Sequence, residues 1–195
     1  MNDLNNQNLT QTLDELSQIQ GERVSIDEIL QKFRSRGFGP FLLAPCLITI
    51  LPTGAIPMVP ALSGVVIAFT CVQLLLGLEH PWLPSRLREF TIPKGRLKNG
   101  IYLARPYTAK IDKILHERLT LFLHPLSKIL TATVSLLLSL IMILIGFIPM
   151  LPATLALPIF FFGLGFIARD GLIIALGYVT IIGSAAGMHL LVSFL

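Results

Sequence analysis

The chain has 195 residues, of which 53% are hydrophobic and only 13% charged, and its mean hydropathy is +0.75. A soluble domain of this size carries roughly 25% charged residues to dress its surface, so this composition excludes a soluble fold together with disordered, collagenous and disulfide-stapled classes. The net charge of +4 lies outside the apolar blocks, which points to an anionic lipid surface and not to nucleic acid.

Residues 1–36 are polar, which argues against a cleavable signal peptide and for two short amphipathic helices. The first carries Leu9, Leu13, Leu16 and Ile19 on one stripe. The second opens with Ser25 and Glu28 in capping-box spacing and then presents Ile26, Ile29, Leu30 and Phe33 on one face. Phe38 to Leu51 is apolar but interrupted by Pro40 and Pro45. It covers about two-thirds of a ~30 Å hydrocarbon core, so it reads as a half-helix or re-entrant entry. Helices are expected at 60–78, 129–147, 152–167 and 172–193, for three to five spans in all. Cys46 and Cys71 both sit in apolar runs and read as small packing residues.

Residues 79–128 hold ten basic and four acidic side chains, a net charge of +6, and Arg23, Lys32, Arg34 and Arg36 precede the first block. By the positive-inside rule both segments are cytoplasmic, and the two blocks between them enter and return. Ile111, Ile114, Leu115, Leu119 and Phe122 share one face of an interfacial amphipathic helix.

An internal match is the strongest pattern. Gly54–Ala61 recurs as Gly146–Ala153, offset by 92 residues, with six of eight positions identical. Prolines Pro57, Pro60, Pro149 and Pro152 forbid one continuous helix at either copy. Such breaks either line a wet cavity, as in transporters built from repeats, or form tight loops at the membrane surface. The charge pattern makes the repeats parallel, with both breaks on the far side; an odd number of crossings between them would invert one.

Several strings in order resemble the ExoD family of bacterial exopolysaccharide-synthesis membrane proteins. They are Arg36–Pro40, Ile56-Pro57 after Leu51-Pro52, and Gln73-x-x-x-Gly77 leading into His80–Pro84. Ile148-Pro149 and Arg169–Gly171 follow. The resemblance implies an inner-membrane protein needed for exopolysaccharide production or its regulation, and it brings no catalytic residues.

The residues themselves add a second candidate site. Arg36, Glu79, His80, Arg169 and Asp170 all flank apolar blocks and are expected to form a polar cluster at the cytoplasmic mouth. Arg169 and Asp170 read either as an interfacial turn whose charge pair caps a helix end, or as a pair in which Asp170 caps the last helix while Arg169 turns inward to an anionic group. Gln73 lies in an apolar run, where interhelical hydrogen bonding explains an amide. Gly163 and Gly165 read as close helix packing. The four histidines show no ligand spacing and no enzyme signature is present, so no catalysis, metal or cofactor is expected.

The expected architecture is an all-α, multi-pass inner-membrane protein with two proline-broken repeats. It divides into an amphipathic N-terminal segment (1–36), a first membrane repeat (37–84), a basic interfacial linker (85–125) and a second repeat with a C-terminal span (126–195). Two functions compete. One is a small transporter or flippase-like protein, a homodimer because one subunit barely encloses a path. The other is a non-transporting accessory or scaffold that binds polysaccharide-synthesis proteins through the basic linker. Membrane lipids are partners in either case.

Overall fold

A computed structural model describes residues 23–25, 28, 31, 37–78, 81–82, 91–95, 98, 102, 124–148 and 151–193, with side chains as far as 183. The chain divides into two compact units, one made of 1–37 with 82–116 and the other of 38–81 with 117–195. The amphipathic stripes expected at 9–19 and 107–123 lie outside the described residues.

In the first unit, β1 (Arg23–Ser25) pairs antiparallel with β2 (Thr91–Pro93), with Val24 opposite Ile92. The described chain is helical as expected, and this short ladder is the one strand pairing among the described residues. The pairing joins segments almost seventy residues apart, a contact that local periodicity does not encode. Val24 is fully buried. The capping-box bonds are made: Ser25 N–H donates to Glu28 Oε2 at 2.8 Å and Glu28 N–H donates to Ser25 Oγ at 3.2 Å.

The second unit is helical: α1 (Gly39–Ile50), α2 (Val59–Leu75), α3 (Pro125–Ile145), α4 (Leu151–Ala168) and α5 (Gly171–Ser193). Proline punctuates four of these helices in two ways. Pro40, Pro60 and Pro125 occupy the first two positions of their helices, and Pro152 is the second residue of α4; there an N–H has no helical acceptor to lose. Pro45 and Pro158 lie inside α1 and α4 and are buried. α3 starts at Pro125, four residues before the expected start, because proline at the first position extends the helix without a lost bond. Two helices, α3 and α4, are long and apolar enough to cross a membrane.

Glycine decides which helices touch. A Cβ on Gly163 would lie 3.0 Å from Leu43 N and 3.1 Å from Gly39 O, so α1 and α4 meet backbone to backbone. A Cβ on Gly64 would lie 3.0 Å from Ser139 O, and one on Gly146 would lie 2.7 Å from Ala61 Cβ, which brings α2 against α3 equally closely. The order of these contacts makes both pairs antiparallel. The C-terminus of α1, the N-termini of α2 and α4, and the C-terminus of α3 therefore share one end, here the break end. Gly39, Leu75, Pro125 and Gly171 share the other, the cap end. Leu42, Cys46, Ile67, Cys71, Met142, Ala156 and Ile159 form one buried cluster where the two helix pairs meet.

Several residues 92 apart in α2 and α4 are alike in burial, although Val66 is exposed where Pro158 is buried. Pro60 and Pro152, Gly64 and Ala156, Ile67 and Ile159, Cys71 and Gly163, and Gln73 and Gly165 are all buried. Overpacking such contacts costs about 1–3 kcal/mol. Gly64→Val and Gly163→Val are therefore expected to lower the melting temperature of the detergent-purified protein. Gly183→Val, where a Cβ meets nothing within 4 Å, should leave it unchanged in the same assay.

Candidate functional site

The two ends of the helical unit differ chemically. At the cap end, α2 stops because Gly77 adopts a left-handed conformation, φ +76°. Gly77 N–H then donates to Leu74 O at 3.1 Å and Leu78 N–H to Gln73 O at 3.2 Å, a Schellman motif. α4 stops in the same way 92 residues later. Arg169 is left-handed, φ +53°, and Asp170 N–H donates to Gly165 O at 3.1 Å.

Glycine takes the left-handed turn freely, whereas an L-residue there costs about 1–2 kcal/mol. Arg169 thus sits at the position where its counterpart is a glycine. Its charge lies where the C-terminal carbonyls of α4 favour a cation. The residue is exposed, and Asp170 beside it is 3% exposed. The Asp170 carboxylate accepts Leu172 N–H at 2.9 Å and so caps the N-terminus of α5. The Asp170 cap belongs to both readings of this pair.

At the break end, the chain leaves α1 at Leu51 and makes a 3-10 turn over Pro52–Ala55. It enters α2 through Met58, which is left-handed at φ +72°. Pro57 is exposed, whereas Pro60 and Pro152 are fully buried. Gly54 and Gly146 are buried at matching points of the two breaks, and Ile56 and Ile148 are exposed at matching points. Both breaks lie at one end of the bundle and not at its midpoint. Pro149, and with it part of the second break, lies outside the described residues.

The expected polar cluster is only partly in view. Arg169 and Asp170 occupy the cap end; Arg36, Glu79 and His80 lie outside the described residues. Gln73 is buried in α2, 5% exposed, at the place Gly165 takes in α4. Sequence reasoning missed a polar tie between α3 and α5. Thr131 Oγ1 lies 2.9 Å from Tyr178 OH, and the Tyr178 ring packs on Phe162 with centroids 4.9 Å apart. The signal was a tyrosine in an apolar run, whose hydroxyl requires a partner when half-buried. Ser135 and Ser139, one and two turns further along α3, are buried and donate to backbone oxygens of Thr131 and Leu136 at 2.8 and 2.7 Å. Among the described residues no group of three or more His, Cys, Asp or Glu could hold a metal ion.

A family model described as "Exopolysaccharide synthesis, ExoD" matches residues 9–190. The chain belongs to the ExoD family. Protein ExoD of Rhizobium meliloti (strain 1021) is 25% identical over 175 residues, covering 87% of this chain and 70% of that protein. No solved structure matches. The ExoD match runs from before β1 to within α5, so it includes both units, both breaks and the Arg169–Asp170 turn. The family name states involvement in exopolysaccharide synthesis, and the two apolar helices agree with a membrane protein.

The two residues of the cap-end turn separate by mutation. Asp170→Ala removes the cap of α5 and is expected to cost about 1 kcal/mol, with Asp170→Asn retaining most of it. Arg169→Gly relieves the left-handed strain and is expected to melt no lower than the parent protein. Thermal unfolding in detergent measures both.

Proposed function

We propose that this ExoD protein is a multi-pass, non-catalytic protein of the bacterial inner membrane, made of two like-oriented hairpin repeats and a final helix. It serves exopolysaccharide synthesis as an accessory protein that holds a basic unit at the cytoplasmic membrane surface. The observation that carries this reading is the filled interior. Where the two helix pairs meet, Leu42, Cys46, Ile67, Met142, Ala156 and Ile159 are buried against one another, an apolar seam among the described residues that favours a non-transporting role.

Charge supports the same reading. The first unit holds twelve basic and eight acidic residues, whereas the helical unit holds three of each and is neutral. A unit with net charge +4 suits contact with anionic headgroups or with acidic partner surfaces. The β1–β2 ladder supports the topology, because residues 23–25 and 91–93 can pair only on one side of a membrane. The α1–α2 hairpin between them must then enter and return. With the basic side cytoplasmic, α5 leaves from the cap end and carries the C-terminus across. The matching burial, breaks and Schellman motifs at an offset of 92 residues support duplication of the hairpin.

A homodimeric transporter or flippase is the second reading, favoured by the proline breaks that recur at one end of the bundle. Reconstitution separates the two. The accessory reading expects no flux of ions or labelled lipid-linked sugars above that of protein-free liposomes, and clear flux overturns it. It also expects that replacing Arg86, Arg88, Lys94, Arg96 and Lys98 together by Gln abolishes exopolysaccharide production in a complemented deletion strain at unchanged membrane levels. On topology, alkaline phosphatase fused after Leu195 should be active and a green fluorescent protein there dark.

A further inference from the structure

The break end is apolar to its tips. No charged residue occurs in 38–78 or in 129–168, so neither hairpin carries a charge to that end. Leu51, Ile56 and Met58 in the first break are 54–56% exposed, and Phe147 and Ile148 in the second are 63% and 51% exposed. A loop that emerges into water does not present five large apolar side chains without one charge.

The backbone of the breaks is suited to the same surroundings. Leu51, Gly54, Ile56 and Val59 donate their N–H groups to Leu47, Leu51, Thr53 and Ile56 carbonyls, and Ile148 donates to Ile145. Pro52, Pro57 and Pro60 have no N–H to satisfy. The hydroxyls there are spent internally, Thr53 on Ile48 O at 2.7 Å, Thr49 on Pro45 O at 3.0 Å and Thr154 on Leu151 O at 2.7 Å. These donors need no water.

Length points the same way. From the cap end, α1, α2 and α4 rise only about 18, 26 and 27 Å, short of a ~30 Å hydrocarbon core, whereas α3 rises about 32 Å and just spans it. The exposed tips also continue without a polar rim into the exposed sides of the helices: Leu62 and Val65 on α2, Ile141 and Leu144 on α3. All the net charge, by contrast, lies in the other unit.

We infer that both proline-break tips are immersed in the hydrocarbon of the far leaflet, with lipid acyl chains covering the exposed face of Leu51, Ile56, Met58, Phe147 and Ile148. The inference rests on the membrane-spanning reading above and goes beyond it: the breaks are lipid-held turns and not an aqueous site open to the far side. Prolines there remove donors that hydrocarbon would leave unpaired.

Site-directed labelling tests this on the full-length protein in right-side-out and inverted membrane vesicles. Ile56→Cys and Ile148→Cys are made with Cys46 and Cys71 replaced by Ala, and Lys98→Cys, at an exposed position, serves as the reference. With a membrane-impermeant sulfonated maleimide, the tip cysteines are expected to react at least about tenfold more slowly than the reference from either side, and to reach its rate after detergent solubilisation. Retention in the membrane at alkaline carbonate with rapid tip labelling from the far side overturns the immersion alone. Release by carbonate overturns the membrane reading and the immersion together. A second measurement keeps the native cysteines. Ile56→Lys and Ile148→Lys are expected to lower the membrane-integrated yield at least about threefold relative to Ile56→Leu and Ile148→Leu, and equal yields overturn the inference.

Discussion

A backbone N–H that leaves a helix must find another acceptor, and this chain has few polar side chains to offer one. Everything in the helical unit follows from how that demand is met. At the break end, short-range bonds such as Gly54 N–H to Leu51 O close the turn on itself, and proline deletes donors that would otherwise be stranded. At the cap end, the Schellman bonds of Leu78 and Asp170 use up carbonyls of α2 and α4. Buried hydroxyls obey the same rule. Thr70, Thr131 and Ser135 each donate to a carbonyl four residues back. Among the described residues these hydroxyls are therefore satisfied within their own helices.

With hydrogen bonding largely local, the helices are brought together by shape. Gly39 and Gly163 let α1 and α4 meet at backbone contact, and Gly64 and Gly146 do the same for α2 and α3. Each helix of one hairpin thus finds its closest neighbour in the other hairpin, and the buried cluster forms where the pairs cross. This exchange explains why several residues 92 apart share burial: each hairpin is the other's packing surface. Arg169 is the main departure from the match, a left-handed arginine where the first hairpin has Gly77. The strain is held by the Asp170 cap and the Schellman bond on either side of it.

The two ends consequently have different roles. The cap end carries the Arg169–Asp170 turn, and the chain's whole net charge belongs to the unit assembled from residues before α1 and after α2. The break end carries no charge at all. The charged and the charge-free parts of the chain are therefore separate stretches of sequence, the first gathered in the basic unit and the second in the helices and breaks.

Much of this was legible in the residues. Charge-free runs marked the helices, the prolines marked both breaks, and Ser25 and Glu28 marked a cap, because each of these signals is local and acts through the backbone of its own segment. The six identities in eight positions between Gly54–Ala61 and Gly146–Ala153 were legible for the same reason. Other features depend on pairs far apart in the chain. The antiparallel pairing of Val24 with Ile92, the contact of Gly39 with Gly163, and the Thr131–Tyr178 tie each join residues that no periodicity links. Whether a proline break sits at the middle or the end of a bundle is likewise a matter of helix register against a neighbour, and only the glycine contacts of α2 with α3 and α1 with α4 set that register. Sequence alone determined which segments are apolar, where helices stop and that the two breaks share a motif. Tertiary structure decided which helices touch, because close approach depends on small residues coming into register across space and not along the chain.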